Sequence, residues 1–99
     1  MTSGYAADQL GFTALHVAAQ FGRDMLMELL VERGADLEAR TAEGYAPEHV
    51  AAGAGQVAAI EWLIARGMDM SLDSPRGTAL EIARSEGHAA LVERLASLG

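Results

Sequence analysis

Apolar residues recur along the chain at the three- and four-residue spacing of amphipathic helices, in six short runs. A glycine follows each run, and glycine is favoured immediately after a helix ends. These glycines are Gly22, Gly34, Gly55, Gly67, Gly87 and Gly99. The pattern predicts six short helices, at residues 14–21, 24–33, 47–54, 57–66, 79–86 and 89–98.

The same pattern returns at a nearly constant period. Leu10–Ala19 aligns with Glu43–Ala52, 33 residues further on, and Thr78–Arg84 follows its counterpart after 32 residues. Each unit contains two predicted helices whose apolar stripe it cannot bury alone, so neighbouring units are expected to stack. We predict one domain over residues 1–99, built from repeats at approximately 8–40, 41–72 and 73–99. The stripe of the second helices contains Leu30, Leu63 and Leu95, with Met27, Ile60 and Val92 beside them.

Start signals precede the first helix of each unit. Thr13 and Thr78 are suitable N-caps, because a hydroxyl accepts a hydrogen bond from an unpaired amide of the first turn. The second unit has Ala46 at this position, followed by Pro47. Proline is favoured at the first helical position, where its missing N–H costs nothing.

These residues resemble the ankyrin repeat, whose 33-residue unit carries the signature T-P-L-H-x-A-A. The first unit has Thr13–Ala19 and then Gly34–Leu37, similar to the family's G-A-D-V. The third unit, "TALEIARSEGH", resembles a C-terminal capping repeat. The resemblance implies an all-α fold, a solenoid of stacked helix-turn-helix units joined by β-turn or hairpin loops.

The same resemblance implies a non-enzymatic module that binds another protein, as an adaptor does. The family's binding surface is concave and consists of the turn tips and the exposed side of each first helix. Aromatic side chains among small and charged residues suit such a surface. The structural alternative, of equal weight, is that Phe12 and Tyr45 pack along the turns beneath. On this sequence the expected contact residues are Gln9, Leu10, Phe12, Gln20, Phe21, Ala42, Glu43, Tyr45, Arg76 and Glu86.

A second interpretation places the chain at the end of a larger array or in a self-associating assembly, with no partner of its own. It rests on the first repeat, where Met25, Leu26 and Met27 form a candidate apolar N-terminal face. An exposed apolar face of this kind is suited to a homodimer. The alternative is that Met25 and Met27 pack in the core, which is favoured because methionines at helical spacing are more often core residues.

Composition and charge narrow the function classes. The chain has 14 acidic and 7 basic residues, a formal net charge of −7, which disfavours nucleic acid. Acidic turn tips at Asp8, Glu43 and Asp73 favour a protein partner that presents basic residues. The absence of cysteine and of any apolar stretch of about 20 residues predicts an intracellular, cytoplasmic protein without membrane spans.

No constellation in the sequence indicates catalysis, a metal or a cofactor. His16 and His49 lie 33 residues apart, and in the resembled family this histidine ties one turn to the next through backbone hydrogen bonds. The glycines of "GAG" at residues 53–55 follow a helix, not a strand, so they do not predict a phosphate loop.

Two positions depart from a simple apolar pattern. Glu48 occupies the place of Leu15, and an unpaired carboxylate is costly to bury there. We therefore expect Glu48 to reach water along the helix, or else to have a histidine or arginine partner. Trp62 aligns with Leu29 and Arg94. Because this position also accepts a charged side chain, we predict that the Trp62 indole is only half-buried.

Overall fold

Three helix pairs follow one another in the computed structural model, which describes residues 13–98. No strand occurs within that range, and each predicted helix is present with ends that differ by at most two residues. The all-α architecture is therefore confirmed. The helices are α1 (Ala14–Gln20), α2 (Asp24–Glu32), α3 (Pro47–Ala54), α4 (Val57–Ala65), α5 (Ala79–Glu86) and α6 (Ala89–Ala96).

The predicted start signals act at all three first helices. The Thr13 hydroxyl accepts from the His16 N–H, and the Thr78 hydroxyl accepts from the Glu81 N–H, each at 3.3 Å. Pro47 takes the first position of α3. The chain leaves α3 through Gly55, where φ is +72° and a Cβ atom would lie 2.7 Å from the His88 ring. Only glycine meets both demands without strain.

The helices form two layers. The first helices, α1, α3 and α5, contact one another in order, and each also packs on the second helix of its own pair. Alanines such as Ala19, Ala52 and Ala83 are fully buried in the first layer, which lets its helices approach closely. Large side chains of the second layer, including Ile60 and Leu63, complete the core.

The predicted apolar stripe is buried to different extents along the stack. Leu63 and Leu95 are buried, as expected, but Leu30 of the first pair is half-buried. Within the described residues, a preceding helix pair covers α4 and α6, whereas none covers α2. Position along the stack therefore modulates burial at otherwise identical residues.

Polar contacts join consecutive helix pairs. The Gln56 side chain donates to the Gln20 carbonyl oxygen at 3.0 Å. The Trp62 indole is half-buried, as predicted, and its Nε1–H donates to Glu28 at 3.0 Å. Arg94 and Glu61 form an ion pair across the next boundary. These contacts fix how each pair is seated on its neighbour.

Candidate functional site

The histidines hold the turns in place. In α1, Nδ1 of His16 accepts from the Thr13 N–H at 3.1 Å, which assigns the ring proton to Nε2. Nε2 therefore donates to the Tyr45 carbonyl, 2.9 Å away in the next unit. His49 repeats the arrangement with Ala46 and with the Leu72 carbonyl at 2.8 Å. The structural role expected of both histidines is confirmed.

A groove of about 450 Å³ runs along the side formed by the turns and the first helices, and we call it the concave groove. It brings together four of the predicted contact residues, one or more from each repeat. Arg76 and Glu86 form an ion pair of 2.7 Å at one end. The lining residues are Gln20, Tyr45, His49, Val50, Gly53, Ala54, Arg76, Ile82 and Glu86.

Three predicted contact residues lie outside this lining. Phe21 follows α1 and is 60% exposed, so its ring is available on the surface near the groove. Ala42 and Glu43 are exposed in the turn that Thr41 and Tyr45 close through a backbone hydrogen bond of 2.8 Å. The remaining three predicted contact residues, Gln9, Leu10 and Phe12, lie outside the described residues, as does the predicted acidic turn tip Asp8.

Sequence reasoning did not identify the apolar floor of the groove. Val50 and Ile82 line it together with the ring of His49, which meets Tyr45 edge-on with centroids 6.4 Å apart. The signal was present, because Val50 and Ile82 each lie four residues before a groove position, Ala54 or Glu86. Residues four apart share one face of a helix.

Glu48 behaves differently from the prediction. Its side chain is fully buried, and neither carboxylate oxygen has a hydrogen-bond partner. The expectation that it reaches water or finds a partner is therefore wrong. Glu48 lies on the side of α3 that faces the stack, as Leu15 does in α1. The nearby arginine, Arg40, does not hydrogen-bond to Glu48. Arg40 donates to the carbonyls of Gly44 and Asp73, at 2.9 and 3.3 Å.

Burial raises the pKa of the Glu48 carboxyl above its ordinary value of 4.5. Three groups partly oppose this increase and lower the pKa: the backbone N–H of Glu48, the His49 ring and Arg40. The negative charge of Asp69 raises the pKa further. Desolvation is the largest cause, because a carboxylate loses its hydration in an apolar interior.

A second cavity, of about 400 Å³, lies beside this carboxyl, and we call it the Glu48 cavity. It has no residue in common with the concave groove. Acidic side chains and one arginine accompany an apolar wall. The lining residues are Glu38, Arg40, Ala46, Glu48, Gly67, Met68, Asp69 and Leu72.

The stacked helix pairs agree with a comparison against known families. The family model for ankyrin repeats in many copies matches residues 15–64. The chain belongs to the ankyrin-repeat family. An ankyrin repeat-containing protein of Schizosaccharomyces pombe is 43% identical over 42 residues, which are 42% of this chain and 20% of that protein. The match thus spans about a fifth of the length of this relative.

Ankyrin repeats are in general modules of protein–protein interaction, and the family is typically non-enzymatic. Among residues 13–98, no group of three or more histidine, aspartate or glutamate side chains is placed to hold a metal ion. Over the same range, none of the helices has the length and apolar character required to cross a membrane.

The first ankyrin repeat exposes an apolar face whose members differ from those the sequence predicted. Met25 is 84% exposed and Leu26 is 44% exposed, in agreement with a surface position. Met27, however, is fully buried in the core, so its place in the stripe of the second helices is confirmed and its assignment to this face is wrong. Residues two apart point to different sides of a helix, which separates Met25 from Met27.

Proposed function

We propose that this ankyrin-repeat chain binds a partner protein through the concave groove and the adjoining turn tips. The observation that carries the proposal is the groove itself, because it places an apolar floor between polar ends. Val50 and Ile82 supply the floor, and the half-buried Tyr45 supplies an aromatic side chain. An apolar centre with a polar rim is the usual anatomy of a protein interface.

The polar ends of the groove indicate what the partner contributes. Arg76 and Glu86 are both exposed and already paired, so a partner has to match or replace that ion pair. Glu43 adds a negative charge at a nearby turn tip, and the chain carries a net charge of −7. We propose a partner that presents basic residues to this surface, because complementary charge accelerates association.

Gly53 permits a test that leaves the fold intact. It lies in α3 at a helical backbone conformation, and a Cβ atom there would lie 3.6 Å from Ile82 and 4.0 Å from Arg76, which are ordinary contact distances. Gly53→Leu fills the groove, whereas Gly53→Ala changes the same backbone position and leaves the groove largely open. Both replacements favour the helix.

The experiment is affinity capture from an extract with mass spectrometry, using wild type, Gly53→Ala and Gly53→Leu after their folding has been verified by circular dichroism. We expect a partner that is retained by wild type and Gly53→Ala and lost by Gly53→Leu. A set of partners identical for all three proteins would contradict binding in the concave groove.

A second candidate function is self-association through the face formed by Val17, Met25, Leu26 and Leu29, as in a terminal segment of a larger assembly. The supporting observation is that Leu26 is 44% exposed, whereas Ala59 and Leu91, its equivalents in the next repeats, are buried. Sedimentation at increasing concentration tests it. A dimer that Leu26→Glu dissociates supports this function, and a strictly monomeric mass contradicts it.

A further inference from the structure

The Glu48 cavity contains an acceptor that receives no hydrogen bond. Buried polar atoms are nearly always hydrogen-bonded, so each exception calls for a physical explanation. Here both oxygens of one carboxyl are without a donor, in a side chain that lines a cavity. Glu48 shares this lining with the charged residues Arg40 and Asp69.

We propose that the Glu48 cavity binds an arginine side chain of a partner protein, whose guanidinium donates to both carboxylate oxygens of Glu48. This inference goes beyond the proposed function and does not depend on it, because the concave groove and the Glu48 cavity have no lining residue in common.

The two unpaired oxygens favour a guanidinium over an ammonium. Guanidinium offers parallel N–H donors in a rigid planar fork that matches both oxygens of a carboxylate. It is also more weakly hydrated than an ammonium, so it loses less on entering a buried site. One arginine would therefore supply the missing donors and the missing positive charge together.

The charges that surround Glu48 favour binding of an arginine side chain. Glu38 and Asp69 are exposed acidic residues of the same lining, so the cavity attracts a cation. Arg40 does not neutralise these charges completely, because the lining has three acidic residues and one arginine. Arg40 donates through Nη1 to the carbonyls of Gly44 and Asp73, not to Glu48. The engagement leaves the Glu48 carboxyl to an external donor.

The apolar part of the lining fits the alkyl portion of an arginine side chain. Ala46, Met68 and Leu72 contribute this wall. Long basic side chains commonly bury their methylene groups along apolar surface. Glu48 has no exposed surface in the unbound chain, so entry requires a lining side chain to move. Met68 is suited to this movement, because methionine is flexible and adapts its packing.

The test uses three short capped peptides, Ala-Arg-Ala, Ala-citrulline-Ala and Ala-Lys-Ala, titrated into the full chain and followed by amide NMR. Citrulline has the shape of arginine without its charge. We expect saturable shifts at Gly67, Met68 and Leu72 with the arginine peptide, and affinity at least tenfold weaker with citrulline. Lysine should bind between the two.

The variants are Glu48→Gln, which preserves shape, and Glu32→Gln, which removes an exposed carboxylate of α2 outside the cavity lining. We expect Glu48→Gln to weaken the arginine peptide at least tenfold, and Glu32→Gln to leave it unchanged. Equal binding of arginine and citrulline, tighter binding of lysine, or full affinity in Glu48→Gln would overturn the proposal. Gly53→Leu should bind the peptide normally, which separates this test from that of the concave groove.

Discussion

Leu15 of the first repeat and Glu48 of the second occupy equivalent positions, and both side chains are completely buried. Leu15 belongs to the apolar core, where its contacts stabilise the stack. Glu48 has the same burial but leaves two oxygens without partners. The comparison shows that the position of a residue on its helix determines burial here, even when the side chain is polar. It also indicates that the carboxyl beside the cavity makes the fold less stable than an apolar side chain at position 48 would.

Making the first repeat like the second gives the largest expected effect. Leu15→Glu removes a buried apolar side chain and introduces an unpaired carboxyl in its place. Burying an uncompensated charge costs about 3–5 kcal/mol, so we expect a loss of that order in the free energy of unfolding at pH 7. Urea denaturation measures it. The comparison would fail if Leu15→Glu were as stable as wild type.

Making the second repeat like the first should raise stability. Glu48→Leu replaces a desolvated carboxyl by an apolar side chain, and relief of an unsatisfied buried polar group contributes about 1–3 kcal/mol. Urea denaturation at pH 7 should show that gain. Glu32→Leu, at an exposed position, is the matched control and should change stability little. Destabilisation in Glu48→Leu would reveal a partner for the carboxyl in solution.

The pH dependence of stability sharpens the comparison further. The pKa of Glu48 is raised on folding, so the folded chain retains its proton at pH values where the unfolded chain has released it. The Glu48 contribution to stability is therefore largest below pH 4.5 and decreases as pH rises through the raised folded pKa. We expect this decrease in wild type to exceed that in Glu48→Gln.

That difference isolates Glu48 from carboxyls with the opposite behaviour. Hydrogen bonds from Arg94 and Ser71 lower the pKa of Glu61 and Asp69, respectively, so their contributions decrease as pH falls. Denaturation midpoints from pH 3 to 8 provide the measurement. Parallel curves for wild type and Glu48→Gln would contradict a raised pKa.

The smallest expected effect concerns another position at which the second repeat differs from its neighbours. Gly53 is equivalent to Gln20 and Ser85, and glycine weakens a helix interior by about 0.5–1 kcal/mol relative to alanine. Since a Cβ atom fits here at ordinary distances, Gly53→Ala should gain that amount. Thermal unfolding measures the gain. A lower midpoint would indicate that the groove does not accommodate a methyl group.

Local signals predicted most of the fold. Thr13, Pro47 and Thr78 start their helices as expected, because capping depends on neighbouring residues alone. The ties of His16 and His49 followed from the family motif, although their acceptors, the Tyr45 and Leu72 carbonyls, lie 29 and 23 residues away.

Burial at the candidate sites was harder to predict, because it depends on how neighbouring units pack. Glu48 was expected in water on the basis of its charge, yet its place in α3 faces the stack. Helical phase separates the buried Met27 from the exposed Met25, which the stripe of the second helices indicated and the grouping of Met25, Leu26 and Met27 as one face did not. Val50 and Ile82 belong to the groove only because consecutive first helices lie side by side.

The most direct test of the contrast between Leu15 and Glu48 is an NMR titration of the Glu48 side-chain carboxyl carbon in the full chain. The buried, unpaired carboxyl predicts a midpoint above 4.5, and one that moves downward when the arginine peptide is added. A midpoint at or below 4.5 in the free chain would contradict the account, because it would mean that the carboxyl is hydrated or already paired.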